Sequence, residues 1–173
     1  MHIGTSQDWT DGVIFLRPHR VEDAAAHLAG EDDEMARWLN GGRSTVATVE
    51  AYIDRNLESW RSGGPRRAFG VFDCTTGKLI GNIEANLART LEPDQVNVSY
   101  GIHREWRGRG LAQRALNLMR AYLRADTDVR QIVLRIAPAN FASRRVAEKF
   151  GCAFLGVFDE VEGPMARYVS DVT

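Results

Sequence analysis

Cysteine is scarce in this chain, neither sign of charge dominates it, and no apolar run is long. The two cysteines, Cys74 and Cys152, lie far apart, which argues against a disulfide framework and points to buried, reduced thiols. Lysine and arginine number 22 against 23 aspartates and glutamates, a formal charge of −1. Nothing therefore pulls the whole molecule toward nucleic acid or an anionic membrane, and a charged ligand has to be held by a local patch. No apolar stretch reaches the ~20 residues of a membrane span, and the opening MHIGTSQDWT lacks the basic and apolar regions of a signal peptide. A cytoplasmic protein is expected. The histidines, His2, His19, His27 and His103, have no partner at ligand spacing, so no metal is expected. Neither Gly-x-x-x-x-Gly-Lys-Ser/Thr nor a strand-linked Gly-x-Gly-x-x-Gly with a following acid is present.

What is there suits one domain over residues 1–173, with 44% hydrophobic and 26% charged residues. Val13–Arg17 reads as a strand stopped by Pro18, and Val21–Leu28 as an alanine-rich helix. A short helix over Glu31–Leu39 opens on four consecutive acids, favourable at a helix N-terminus. From Ser44 or Thr45 as cap, Val49, Ile53, Leu57 and Trp60 recur at helical spacing. Ala68–Asp73 and Lys78–Asn86 flank the turn Cys74–Gly77 as a hairpin, and Val96–Ile102 alternates Val96, Val98 and Tyr100 against Asn97, Ser99 and Gly101. A helix follows with Leu111, Ala115, Leu116, Leu118, Met119, Tyr122 and Leu123 along one stripe. The strand Gln131–Ile136 comes next, then a helix begun by Pro138 and Asn140 and closed by Gly151. Strands Ala153–Phe158 and Met165–Val172 end the chain. The order predicts an α/β (α+β) fold, a mixed and mostly antiparallel sheet of about seven strands with helices on both faces. Because parallel neighbours need a crossover, the helix after Gly110 is expected to link Val96–Ile102 to a parallel Gln131–Ile136.

The most informative segment is VNVSYGIHREWRGRGLA, residues 96–112, where a strand empties into an arginine- and glycine-rich turn opening a helix. The first amides of a helix have no intrahelical acceptor and carry the positive end of its dipole, so a phosphate is favoured there. Gly108 and Gly110 allow positive φ and close backbone approach, while Arg104, Arg107 and Arg109 add attraction for a polyanion. The alternative is an ordinary strand-to-helix turn with solvated arginines.

Arg107-Gly108-Arg109-Gly110-Leu111-Ala112 resembles the Arg/Gln-x-x-Gly-x-Gly/Ala signature by which GCN5-related N-acetyltransferases (the GNAT superfamily) hold the pyrophosphate of acetyl-coenzyme A. Asn140 through Cys152, NFASRRVAEKFGC, resembles the Asn-x-x-Ser/Ala…Glu-Lys-x-Gly-Phe segment of the same superfamily, particularly its RimJ/RimL-like branch. With Gly81 the resemblance runs from Phe15 to the final strands and is weakest between Glu31 and Arg67. It implies acetyl-coenzyme A as donor and a primary amine, on a small molecule or a polypeptide N-terminus, as acceptor. It also implies that Ile102 and His103 line the acetyl and pantetheine arm, and that Arg107, Gly108, Arg109, Gly110, Leu111, Ala112, Asn140 and Ser143 contact the carrier. Read for local structure alone, Asn140 is a helix N-cap and Ser143 a first-turn residue.

Acyl transfer needs a neutral amine, and with amine pKa values near ~8 to ~10.4 a base or a desolvating pocket must remove a proton. Glu84, alternating with Asn82 and Asn86 and near Asn97 and Ser99, is the candidate base, the alternative being an exposed sheet edge. A backbone N–H near Ile102 or His103 is the expected oxyanion donor. Many family members place a tyrosine seven residues after the Asn to protonate the departing thiolate; Ala147 stands there, and Ser143 is the substitute donor. A rival reading is an acyl-coenzyme A binding module without turnover. The C-terminal edge strand makes a homodimer possible.

Overall fold

A computed structural model describes residues 9–88 and 92–173; the opening segment, with His2, lies outside the described residues. Strands β1 (Ile14–Arg17), β2 (Arg66–Asp73), β3 (Leu79–Asn86) and β4 (Gln95–Ile102) run antiparallel in succession, and β5 (Gln131–Ile136) joins β4 in parallel. β7 (Gly163–Asp171) pairs antiparallel with both β5 and the edge strand β6 (Ala153–Glu160), giving the order β1-β2-β3-β4-β5-β7-β6. The helices are α1 (Ala24–Gly30), α2 (Asp33–Met35), α3 (Val46–Ser62), α4 (Leu111–Asp126) and α5 (Phe141–Lys149). The parallel crossover runs through α4, as the sequence predicts.

Strand alternation decides which helix covers which face. Phe69, the register partner of Ile83, lies 5.1 Å ring to ring from Tyr122, so α4 covers the Ile83 face. The neighbouring Glu84 meets the Tyr52 hydroxyl at 3.5 Å, so α3 covers the other. α4 opens on Gly110 and buries Leu111, Ala115, Leu116, Leu118, Met119, Tyr122 and Leu123, the stripe expected from spacing. Helix α5 joins the α4 side, because Tyr100, register partner of Ile83, reaches its Ser143.

Three local readings are corrected. Helix Glu31–Leu39 starts later: Asp32 Oδ1 caps α2 by accepting the Met35 N–H at 3.1 Å, and after Met35 the chain widens into a π-helical turn over Ala36–Asn40, closed by Gly41 at φ +69°. The buried face of α3 is Val49, Ile53, Asn56 and Ser59 rather than a purely apolar stripe. Ser59 Oγ is buried because it bonds both the N–H and the C=O of Arg66 at the start of β2, while Trp60 stays at the margin with its indole N–H on the Ala68 carbonyl. Cys74 is exposed in the hairpin turn and Cys152 half-buried, so the expectation of two buried thiols fails for Cys74. Among the described residues no helix is long and apolar enough to cross a membrane.

Candidate active site

The site is built by a failure of strand pairing. β4 and β5 are in register at Gln95–Gln131, Val96–Ile132 and Asn97–Val133, after which the two strands part. The His103 N–H donates to Ile80 O at 2.8 Å, which fixes the alternation along β4. Odd-numbered residues from Asn97 to His103 turn their backbone groups to β3, and those of Val98, Tyr100 and Ile102 face the gap. A cleft of about 440 Å³ runs through this gap from one face of the sheet to the other.

At one mouth stands the start of α4. Gly108 and Gly110 have φ of +74° and +72°, and a Cβ added to either would meet nothing within 4 Å. The turn thus holds a left-handed backbone in front of open space, with the first amides of α4 behind it, which is the geometry a diphosphate needs. Gly108, Gly110, Leu111 and Ala112 line the cleft. Arg107 does so too, but its guanidinium is turned inward. Nε donates to Ile102 O at 2.8 Å, Nη1 and Nη2 grip Asp32 at 2.7 and 2.8 Å, and Nη1 also reaches Glu34 at 3.0 Å. This pairing holds the Asp32 carboxyl below the usual carboxylate range, against the opposing effect of burial. Arg107 is therefore a brace between the turn and α2 rather than a freely solvated cation. Arg109 folds back, donating to Glu105 O at 3.0 Å with its guanidinium over Trp106.

Midway through the gap, Asn140 and Ser143 line the wall. Asn140 is the N-cap of α5, its Oδ1 accepting the Ser143 N–H at 3.2 Å. Ser143 Oγ is 3.0 Å from the hydroxyl of Tyr100. Burial pushes the Tyr100 phenol up to about 12, with the Ser143 contact opposing, so it stays a neutral donor at physiological pH. Alternation along β4 grouped Tyr100 with Val96 and Val98 as core, and nothing in the sequence signalled its pairing across 43 residues. Ala147, where the family tyrosine would stand, is fully buried, and the hydroxyl beside Ser143 comes from β4 instead.

Arg109 does not line the cleft, and two further expected residues lie elsewhere. The His103 ring packs against Gly30, where even a Cβ would fall within 2.3 Å of it; burial lowers its pKa to about 4, and its N–H is committed to Ile80. The His103 N–H is thus unavailable to the cleft, whereas Ile102 lines it. Glu84 does not line the cleft. Its carboxylate sits under α3, 3.3 Å from Arg66 and 3.5 Å from the Tyr52 hydroxyl, while its cross-strand partner Ser99 reaches the cleft wall.

An anion cradle at one mouth, a strand gap lined by backbone amides, and a hydroxyl pair at its centre define a carrier-dependent acyltransferase. Residues 14–153 match the acetyltransferase (GNAT) domain family, and the chain belongs to it, an N-acetyltransferase by class. No curated protein matches the sequence. Among solved structures the fold is shared with a GNAT-family acetyltransferase from Bacillus anthracis (TM-score 0.79, 17% identity, 92% of this chain and 95% of that one). It is shared also with the ribosomal L7/L12 α-N-protein acetyltransferase RimL in complex with coenzyme A (0.79, 15%, 94% and 96%). A third is the aminoglycoside acetyltransferase AAC(6')-Ib in complex with coenzyme A (0.77, 20%, 91% and 94%).

Proposed function

We propose that this enzyme moves acetyl from acetyl-coenzyme A to a primary amine by direct attack in a ternary complex. The observation that carries the reading is the continuity of one cleft, from the left-handed turn at α4 past Ser143 to the opposite face of the sheet. The thioester supplies the activated acetyl group when bound. Gly108, Gly110, Leu111 and Ala112 present backbone amides to the diphosphate, while Arg107 braces that turn and Arg109 lends long-range charge. Asn140, by capping α5, holds Ser143 in the gap. The gap-facing N–H of Ile102 is placed to meet negative charge developing on the acetyl oxygen. Ser143, hydrogen-bonded to Tyr100, relays a proton from water to the departing sulfur, taking one up as it gives one over. Glu84 draws the acceptor's proton through water by way of Ser99, about 5 Å away across the strands.

Initial rates of thiol release over a grid of both substrates test the order: intersecting lines support a ternary complex, and parallel lines point to an acetyl-enzyme. Glu84→Gln measured for rate against pH tests the base, and an unchanged profile rejects it. The non-catalytic binding module is favoured by Ala147 alone, and Tyr100 offers the hydroxyl which that position lacks.

Residues 1–173 are read as one domain, supported by a single sheet running from Ile14 to Asp171. The free thiols support a cytoplasmic address. Strand β6 supports a homodimer: it is an edge, and Phe154, Leu155, Val157 and Phe158 are 38–55% exposed along it. Leu155→Glu is expected to yield a monomer in sedimentation, and a wild type already monomeric at micromolar concentration rejects the dimer.

A further inference from the structure

Charge along the cleft, and the chemistry of its wall away from Ser143, separate one kind of amine from another. The charged side chains lining the cleft are Glu34, Arg107, Arg135, Arg145 and Lys149, a single acid among four bases. That acid is already held by Arg107. Arg135 is bound to Glu160 and Glu162, and Glu160 is shared with Arg167 at 2.8 Å, so these hairpin acids are likewise engaged with cations. A polycation entering here meets no uncommitted carboxylate among the described lining residues.

What it meets instead is apolar. On the face away from Ser143 the wall is Met35, Trp38, Leu39 and Met165. Met35 and Leu39 close onto β4 at Gly101, where an added Cβ would fall 3.0 Å from the Met35 methyl and 2.6 Å from Leu39 Cδ1. Trp38 and Leu39 sit on the π-helical turn, and a widened turn of this kind re-aims side chains and recurs at functional sites. Arg37 lies 4.3 Å from the centre of the Trp38 ring, so one face of the indole already carries a cation.

Resting on the transferase reading above, we infer that the acceptor is an amine with a single positive charge carried on an apolar or aromatic body, seated against Trp38 and Leu39, and not a polyamine or aminoglycoside. Burying such a body against Trp38, Leu39 and Met165 supplies the binding free energy, and the amine loses its charge before attack, so a wall without free acids helps to desolvate it.

The test compares 2-phenylethylamine and a short peptide beginning with methionine against spermidine and an aminoglycoside, each with acetyl-coenzyme A and thiol release as readout. The better apolar acceptor is expected to exceed both polycations by about tenfold or more in kcat/KM. Trp38→Ala is expected to raise the KM for that acceptor about tenfold while leaving the KM for acetyl-coenzyme A unchanged, and Trp38→Phe to recover most of the loss. Preference for a polycation, or a Trp38→Ala variant with wild-type acceptor KM, overturns the inference and leaves the transferase reading standing. Failure of every amine, with acetyl-coenzyme A still bound in calorimetry, overturns both.

Discussion

Arg107 and Asp32 are joined by two parallel hydrogen bonds of 2.7 and 2.8 Å across 75 positions of sequence. Asp32 is at the same time the cap of α2. One guanidinium thus ties the turn proposed to face the diphosphate to the segment that carries Met35, Trp38 and Leu39. Arg107→Ala should weaken both substrates together, and Asp32→Asn should do the same in smaller measure. A double-mutant cycle on thermal stability is expected to give a coupling of about 1 kcal/mol, the pair being bidentate but partly exposed. Additive effects would show that the contact carries nothing.

Gly108→Ala and Gly110→Ala separate fold from binding. Each places an L side chain in the left-handed region, costing roughly 1–2 kcal/mol. The Cβ meets no protein atom within 4 Å, so the fold should survive. The methyl would instead project into the space assigned to the carrier. A small fall in melting temperature with at least about tenfold weaker acetyl-coenzyme A binding is expected by calorimetry.

Ser143 and Tyr100 should be distinguishable. Ser143→Ala removes the hydroxyl proposed to meet the sulfur and is expected to lower kcat by about tenfold to a hundredfold with little change in acetyl-coenzyme A affinity. Tyr100→Phe removes only its partner and should cost less. If Ser143→Ala turns over like the wild type, the proton donor is another group.

Stability should fall on mild acidification. His19, with both ring nitrogens buried and without hydrogen-bond partners among the described residues, has its pKa lowered by burial to about 3, His103 to about 4, and burial lowers His27 as well. In the unfolded chain each titrates near ~6.5, so below that pH the unfolded state takes up protons that the folded state refuses. The stabilisation is complete above ~6.5 and is lost progressively as pH falls toward 4 and then 3. Melting temperature followed from pH 7.5 to 4.5 should drop, and His19→Phe should flatten the curve. A flat wild-type curve contradicts the burial of neutral imidazoles.

The order of elements along the chain and the α4 crossover were legible because apolar spacing and turn glycines act locally, and the left-handed pair Gly108 and Gly110 could be anticipated from the local sequence, whereas the seating of β7 between β5 and β6 was not. What lay hidden was set by residues distant in sequence. Nothing near Arg107 says that its charge will be spent on Asp32. Tyr100 alternates with valines, so its hydroxyl is invisible until α5 brings Ser143 to it. Asn56 and Ser59 break the apolar pattern of α3 yet are buried, because β2 supplies partners for Ser59 and because Tyr52, Asn82 and Glu84 form a polar layer beneath the helix. The π-helical turn escapes a 3.6-residue template by construction.

The proposed seat of acetyl-coenzyme A is the turn before α4 together with the gap between β4 and β5. Titration calorimetry of the wild type with acetyl-coenzyme A, repeated with the 3′,5′-ADP portion alone and with Gly110→Ala, tests it most directly. Saturable binding to the intact carrier is expected, with much weaker binding of the fragment that lacks the diphosphate-linked arm and a marked loss in the variant. No heat of binding from the intact carrier, or an affinity indifferent to Gly110→Ala, would contradict it.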